Sequence, residues 1–249
     1  MTHDFTASAC WLQKFKKRYE IRGRRICWEA NSVDEEVVRR WKDDIPKIVD
    51  NFKISDTYNC DETRLFFNLL PERTLAVKGD PCHGGKRSKE RLTVLLTTNA
   101  DGTDKLTPLV IGKSAKPRCL KGVKSLPVQY EANKKAWMTG AIFTNYLEKL
   151  NARMRREKRK ILMVLDNCPA HPSSLNFSNI KLAFLPPKCT SHTQPLDLGI
   201  IAAMKVQYRQ LLVQRVVADI DAGKDVPKIN FLQVCTIFSF HKLWNKTLL

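Results

Sequence analysis

Apolar residues along this chain keep two rhythms, and the change from one to the other marks its elements. Ile161 to Leu165 is an unbroken apolar run ending at Asp166. It predicts a strand buried on both faces with a carboxylate at its C-terminal end. Ile180 to Leu185 predicts a second such strand, stopped by Pro186 and Pro187, which no strand interior accepts. Upstream, Thr57 to Phe67, residues 91–99 and residues 106–112 are β-prone. The last two flank Ala100-Asp101-Gly102-Thr103, a glycine-bearing hairpin turn.

Helical spacing governs the rest. From 7 to 20, Trp11, Leu12, Phe15 and Tyr19 share one face behind Ser8 as N-cap. Ser32 to Phe52 places Val37, Val38, Trp41, Ile45 and Ile48 behind an acidic first turn, and Pro46 is expected to kink or divide it. Thr139 caps a helix to Lys158 whose inner face is Ile142, Phe143, Tyr146, Leu147 and Leu150. Pro195 and Asp197 open a long amphipathic helix from Leu196 to Asp221, broken by Ala222-Gly223. A last helix, Phe231 to Trp244, closes the chain.

Three strands joined as a meander, then helix, strand, short element, strand and helix, predict an α/β mixed sheet with helices on its faces. The acids fall on the first strand (Asp61, in TYNCDETRLFF), at the end of the fourth (Asp166) and on the helix after the fifth (Asp197). That is the arrangement of a ribonuclease H-like fold. A carboxylate inside a β-prone run is costly unless paired, and a divalent cation is a good partner.

Charge changes the picture next. Lys+Arg 43 against Asp+Glu 25 gives a net +18, which points to a polyanion, chiefly nucleic acid. The basic residues gather at Lys14, Lys16, Lys17 and Arg18 on the first helix and at Lys86, Arg87 and Lys89 in a glycine-bearing loop. They gather again at Lys113, Lys116, Arg118, Lys121 and Lys124 in a long irregular stretch from 113 to 135. The glycine-bearing loop lacks the spacing of a phosphate-binding P-loop. No apolar run approaches about 18 residues, so no membrane partner is expected. The N-terminus lacks the apolar core of a signal peptide, so the expectation is an intracellular protein whose eight cysteines are reduced. Cys168-x-x-His171 and Cys189-x-x-His192 can be drawn as a zinc site, but the two halves flank carboxylate-bearing strand ends rather than forming a free-standing finger.

Five blocks in order carry a resemblance: CDETRLFF, RLTVLLTTNADGTDKLTPLVIGK, KAWMTGAIF, VLDNCPAH and FLPPKCTSHTQPLDLGII. Together they resemble the DDE-type endonuclease domain of pogo and Tigger transposases, whose relatives include jerky and centromere protein B. ASACWLQKFKKRYEI is similar to the closing helix of the helix-turn-helix that precedes this domain in the family. The resemblance implies a remnant of that DNA-binding unit plus linker over residues 1–31 and the endonuclease domain over 32–249. It implies a triad of Asp61, Asp166 and Asp197, the last two separated by thirty residues, with Glu62, Asn167 and His171 around them. It implies magnesium or manganese as cofactor, DNA as partner, a nuclear location and room for a homo-oligomer. The chemistry agrees, since two divalent ions about 3.5–4 Å apart activate the attacking oxygen and stabilise the leaving one. The competing expectation is a domesticated nuclear DNA-binding or interaction protein without catalysis.

Overall fold

A computed structural model describes residues 8–20, 35–68, 90–186, 193–224 and 229–238. The chain divides into two compact units, Met1–Val33 and Asp34–Leu249. The first contains helix α1 (Ala9–Arg18), capped as expected by Ser8, whose Oγ accepts from the Trp11 backbone N–H at 3.1 Å. Its aromatic face stacks on itself, Trp11 on Phe15 at 4.9 Å and Phe15 on Tyr19 at 4.7 Å between ring centroids. Trp11, Leu12 and Tyr19 remain exposed.

The second unit is built on one six-stranded sheet in the order β4-β3-β2-β1-β5-β6. The strands are β1 (Thr57–Phe66), β2 (Arg91–Asn99), β3 (Leu109–Gly112), β4 (Gln129–Ala132), β5 (Ile161–Leu165) and β6 (Ile180–Phe184). β1, β2 and β3 are antiparallel neighbours, while β4 on β3, β5 on β1 and β6 on β5 are parallel. The helices are α2 (Glu35–Val49), α3 (Gly140–Arg156), α4 (Ile201–Asp221) and α5 (Phe231–Phe238).

Strand alternation sorts the core into two layers. On one face Tyr58, Cys60, Leu95 and Met163 pack against Phe143, Tyr146, Leu147 and Leu150 of α3. On the other, Leu65, Leu92, Val94, Leu96 and Val110 pack against Met204, Tyr208 and Leu212 of α4 and Val234 of α5. β5 is covered on both faces, so its run needs no polar alternation. α2 turns Trp41, Ile45 and Ile48 toward β1 and β5 across a cavity of about 420 Å³. These three are only half-buried.

Three expectations are corrected, and of the kink or division expected at Pro46 the division does not occur. The irregular stretch from 113 to 135 holds β4, a sixth strand paired in parallel with β3. It has no apolar run of its own, and all four of its residues are half-buried. Its β structure comes from a neighbour's backbone rather than from its own propensity. β3 begins at Leu109, after Pro108, rather than at 106. The long helix is not continuous from Leu196: residues 196–200 form a wide turn, kinked at Leu198 and at Gly199 with φ 133°, and α4 proper starts at Ile201. Only glycine adopts that φ readily, so the break is built into the sequence at one residue. The proposed C-terminal extension of α5 to Trp244, and the start of α2 at Ser32, lie outside the described residues.

Candidate functional site: a carboxylate cluster at the end of the sheet

β1 and β5 run parallel with Asn59 opposite Val164, which carries Asp61 and Asp166 to the same end of the sheet. Asp61 is 7% exposed, in the middle of β1, with β2 on its other side. Asp197 arrives from the wide turn before α4. Two polar residues absent from the sequence expectations hold that turn in place. Asn59 Nδ2 donates to Val164 O at 2.9 Å and to Gln194 Oε1 at 3.0 Å, and Asn59 Oδ1 accepts from the Leu196 N–H at 3.2 Å. Gln194 Nε2 in turn donates to Cys60 O at 3.0 Å. Gln194 is fully buried, so this clamp is a sealed polar junction between the strands and the turn. The one signal for it in the sequence was a polar residue two positions before Asp61 on the same face of a β-prone run.

Asp61 is the electrostatic centre of the cluster. Burial, then the charges of Asp197, Glu62 and Asp166, and a hydrogen bond with Asp197, push its pKa from the usual 3.8 up to about 8. Like charges gathered in a partly dry site resist ionising together. Asp197 itself is exposed to solvent.

His171 forms the other half of the site. It is 3% exposed and stacks on Phe143 with ring centroids 4.1 Å apart. Its Nε2 lies 2.9 Å from Glu62 Oε1. Its Nδ1 lies 2.7 Å from Asp166 Oδ1 and 3.1 Å from the Asp166 carbonyl oxygen. The carbonyl contact has hydrogen-bond alignment and the carboxylate contact is ionic. Burial opposes the imidazolium, but contacts with Asp166, Cys168 and Glu62 outweigh it and hold the ring protonated well above its usual pKa. Asp61 Oδ2 is buried without a hydrogen-bond donor, and Asp166 Oδ1 has only its ionic contact with His171.

The structure thus brings together Asp61, Glu62, Asp166, His171 and Asp197, while Asn167 is exposed and turned out to solvent. Asp166, Cys168 and His171 offer ligand atoms within 4.8 Å of one another. Both ring nitrogens of His171 are already engaged, however, and Cys189 and His192 lie outside the described residues. Among the expected DNA-binding residues, Lys14, Lys16, Lys17 and Arg18 are exposed on α1. Lys113, Lys116, Arg118, Lys121 and Lys124 are exposed between β3 and β4. Lys86, Arg87 and Lys89 lie outside the described residues. Among the described residues no helix is long and apolar enough to cross a membrane.

Comparison with known proteins decides the family. The family model "DDE superfamily endonuclease" matches residues 89–246. The chain belongs to the DDE superfamily endonucleases, in their pogo/Tigger branch. Within that family it is 37% identical to mouse Tigger transposable element-derived protein 4, over 97% of this chain and 47% of the relative. It is 33% identical to the human Tigger transposable element-derived protein 7, over 98% and 50%. It is 31% identical to the human major centromere autoantigen B, over 89% and 40%. This DDE chain therefore spans half the length, or less, of these curated relatives. Its fold is that of the Mos1 transposase, as seen in a Mos1 mariner paired-end complex with Mn (TM-score 0.52, 13% identity, 96% of this chain and 69% of that one). The paired-end complex with the left transposon end gives the same likeness (TM-score 0.51, 14% identity, 95% and 68%).

Proposed function

We propose that this chain is a transposase-derived DNA strand-cleaving and strand-transferring domain that works in the nucleus with divalent magnesium or manganese. The observation that carries this is Asp61. A carboxylate 7% exposed, with one oxygen lacking any donor and three further acids around it, is destabilising without a countercharge. His171 answers Glu62 and Asp166, and Asp61, crowded by Asp197, keeps one oxygen without a donor. The donors gathered there are carboxylate oxygens, the ligand set that suits magnesium or manganese.

Asp61, Asp166 and Asp197 would hold the ions, with Asp61 between the other two. When bound, the ions would supply an activated attacking oxygen and charge neutralisation at the leaving oxygen. The chain's own residues supply rigidity. β1 and β5 fix Asp61 and Asp166 by register. The Asn59–Gln194 clamp positions the turn bearing Asp197. His171 pins Asp166 to Glu62 and keeps a proton on each ring nitrogen, so it is a positioning residue and not a base. The exposed lysines between β3 and β4 bind the phosphate backbone, and the family resemblance of α1 supports a DNA contact there too.

The test is calorimetric titration with magnesium and manganese, paired with nicking of supercoiled DNA. Wild type is expected to bind and nick. Asp166→Asn keeps size and one oxygen, loses the charge, and is expected to abolish nicking while duplex affinity stays nearly unchanged. A wild type that neither binds nor nicks would leave the second reading, a domesticated nuclear DNA-binding protein. That reading is favoured by the 31% identity to the major centromere autoantigen B.

A further inference from the structure

Beyond the acids, the same end of the sheet presents an aromatic surface fringed with cations, and nothing in the reading above uses it. Glu62, Arg64 and Phe66 alternate onto one face of β1, so Arg64 lies ~7 Å past Glu62 and Phe66 as far again. Antiparallel pairing sets Arg91 of β2 opposite Phe66 and Thr93 opposite Arg64 on that face. Trp137, just before α3, completes the group. Its ring has the Arg91 Cζ 4.8 Å, the Arg64 Cζ 5.8 Å and the Lys135 Nζ 6.0 Å from its centroid. Trp137 is 47% exposed and Phe66 41%.

The exposure of Trp137 is imposed by the backbone. Its neighbour Ala136 is fully buried at φ 50°, a left-handed conformation that costs an alanine about 1 kcal/mol or more. Thr93 Oγ1 locks it there by donating to the Ala136 carbonyl at 2.7 Å. The Asn133 side chain then ties down the flanking peptides. Its Oδ1 accepts from the N–H groups of Lys135 and Trp137 at 3.1 and 3.2 Å, and its Nδ2 donates to the Trp137 carbonyl at 2.6 Å. Arg91 Nη2 donates to the Lys135 carbonyl at 3.1 Å. A large ring is thus held out in water on a rigid loop, near Arg64, which follows Glu62 on the same face of β1.

We propose that Trp137, with Phe66, Arg64, Arg91 and Lys135, is a stacking platform for an unpaired DNA strand next to the carboxylate cluster. The ring offers a π-face, which an unpaired base can use and a paired base, already stacked, cannot. The three cations would take the phosphates on either side, and the guanidinium beside the ring adds a cation–π contribution. A protein partner would favour an apolar patch without this charge. The platform rests on the DNA-cleaving reading for its purpose, because strands must part where they are cut. Binding to it needs no divalent ion.

The experiment uses the full chain in EDTA, with anisotropy of a labelled oligothymidine, a blunt duplex, and a fork with one single-stranded arm. Trp137→Ala is expected to weaken oligothymidine and fork binding about tenfold and to leave the blunt duplex unchanged, as expected for loss of one stacked base. Trp137→Phe keeps a π-face and is expected to restore most of the affinity, which separates stacking from misfolding. Trp137→Ala binding oligothymidine as tightly as wild type would overturn the platform. So would an equal loss on oligothymidine and duplex. Since cleavage is read in a separate assay, a Trp137 effect without any metal-dependent nicking keeps the platform and sinks the nuclease reading. Nicking without a Trp137 effect does the reverse.

Discussion

A single side chain, Asp61, concentrates the tension in this molecule. Its carboxyl is buried among other acids and titrates near 8 rather than at 3.8. The sign is opposite to that of an ordinary paired aspartate. Below 3.8 both folded and unfolded chains hold the proton. Between 3.8 and about 8 the unfolded chain releases it while the fold retains it, so the metal-free protein loses stability as pH rises through that window. Asp61→Asn removes the charge, and we expect it to stabilise the metal-free protein at pH 8 by ~1–3 kcal/mol, the cost of a buried group left without a partner. Thermal melts across the pH window check this: the wild-type Tm should fall and the variant's should stay flat. Magnesium should raise the wild-type Tm at pH 8 and leave the variant's unchanged. A variant less stable than wild type at every pH would mean that the carboxylate is already satisfied within the fold.

At the scale of elements, the site depends on a junction. β1 and β5 are locked by register, but the turn before α4 has no strand partner. What holds it is Asn59 and Gln194, four hydrogen bonds in a place sealed from water. Truncating Gln194 to Ala leaves Asn59 Nδ2 with Val164 O alone, removes the side-chain donor to the Cys60 carbonyl and opens a small void. The expected loss is ~2–3 kcal/mol of stability, together with weaker magnesium affinity, because Asp197 is no longer held against Asp61. Chemical denaturation and metal titration on the same sample read both effects. Metal affinity equal to wild type in a folded, destabilised variant would assign the clamp to stability alone. The other end of β1 is tied differently. Tyr58 donates to Asp104 at 2.5 Å, and Arg159 reaches Asp56 at 2.8 Å. That network anchors the strand far from the acids.

For the whole molecule the governing quantity is +18. Affinity for DNA should come from phosphate contacts and counterion release, so log K should fall linearly with log salt for cognate and scrambled duplexes alike. Lys121→Ala or Lys124→Ala, both exposed between β3 and β4, should each weaken binding across all sequences and reduce the salt slope by about 1. An affinity indifferent to salt would remove the basic surface from the account. Asp166→Asn removes no cation from the basic stretches, which is why it is expected to silence cleavage without releasing DNA.

Local periodicity was enough to read the parts of this protein. The apolar run of β5 and its terminal Asp166, the hairpin of β2 and β3 and the inner face of α3 all follow from the residues inside each element. Those residues bury themselves whatever lies beyond. The chain positions of Asp61, Asp166 and Asp197 were legible for the same reason, as acids at element ends or interrupting a β-prone run. What the tertiary structure decided is everything that needs a second element. β4 exists only because β3 lends it hydrogen bonds. Gly199 reads as one more helix residue until its φ of 133° breaks the helix. Asn59 and Gln194 lie far apart in the chain, and neither means anything alone. Trp137 stands in water because Ala136, Thr93 and Asn133 hold its backbone there, and no local periodicity announces it. The pKa of Asp61 likewise depends on burial and on three other acids, and no stretch of sequence contains them all.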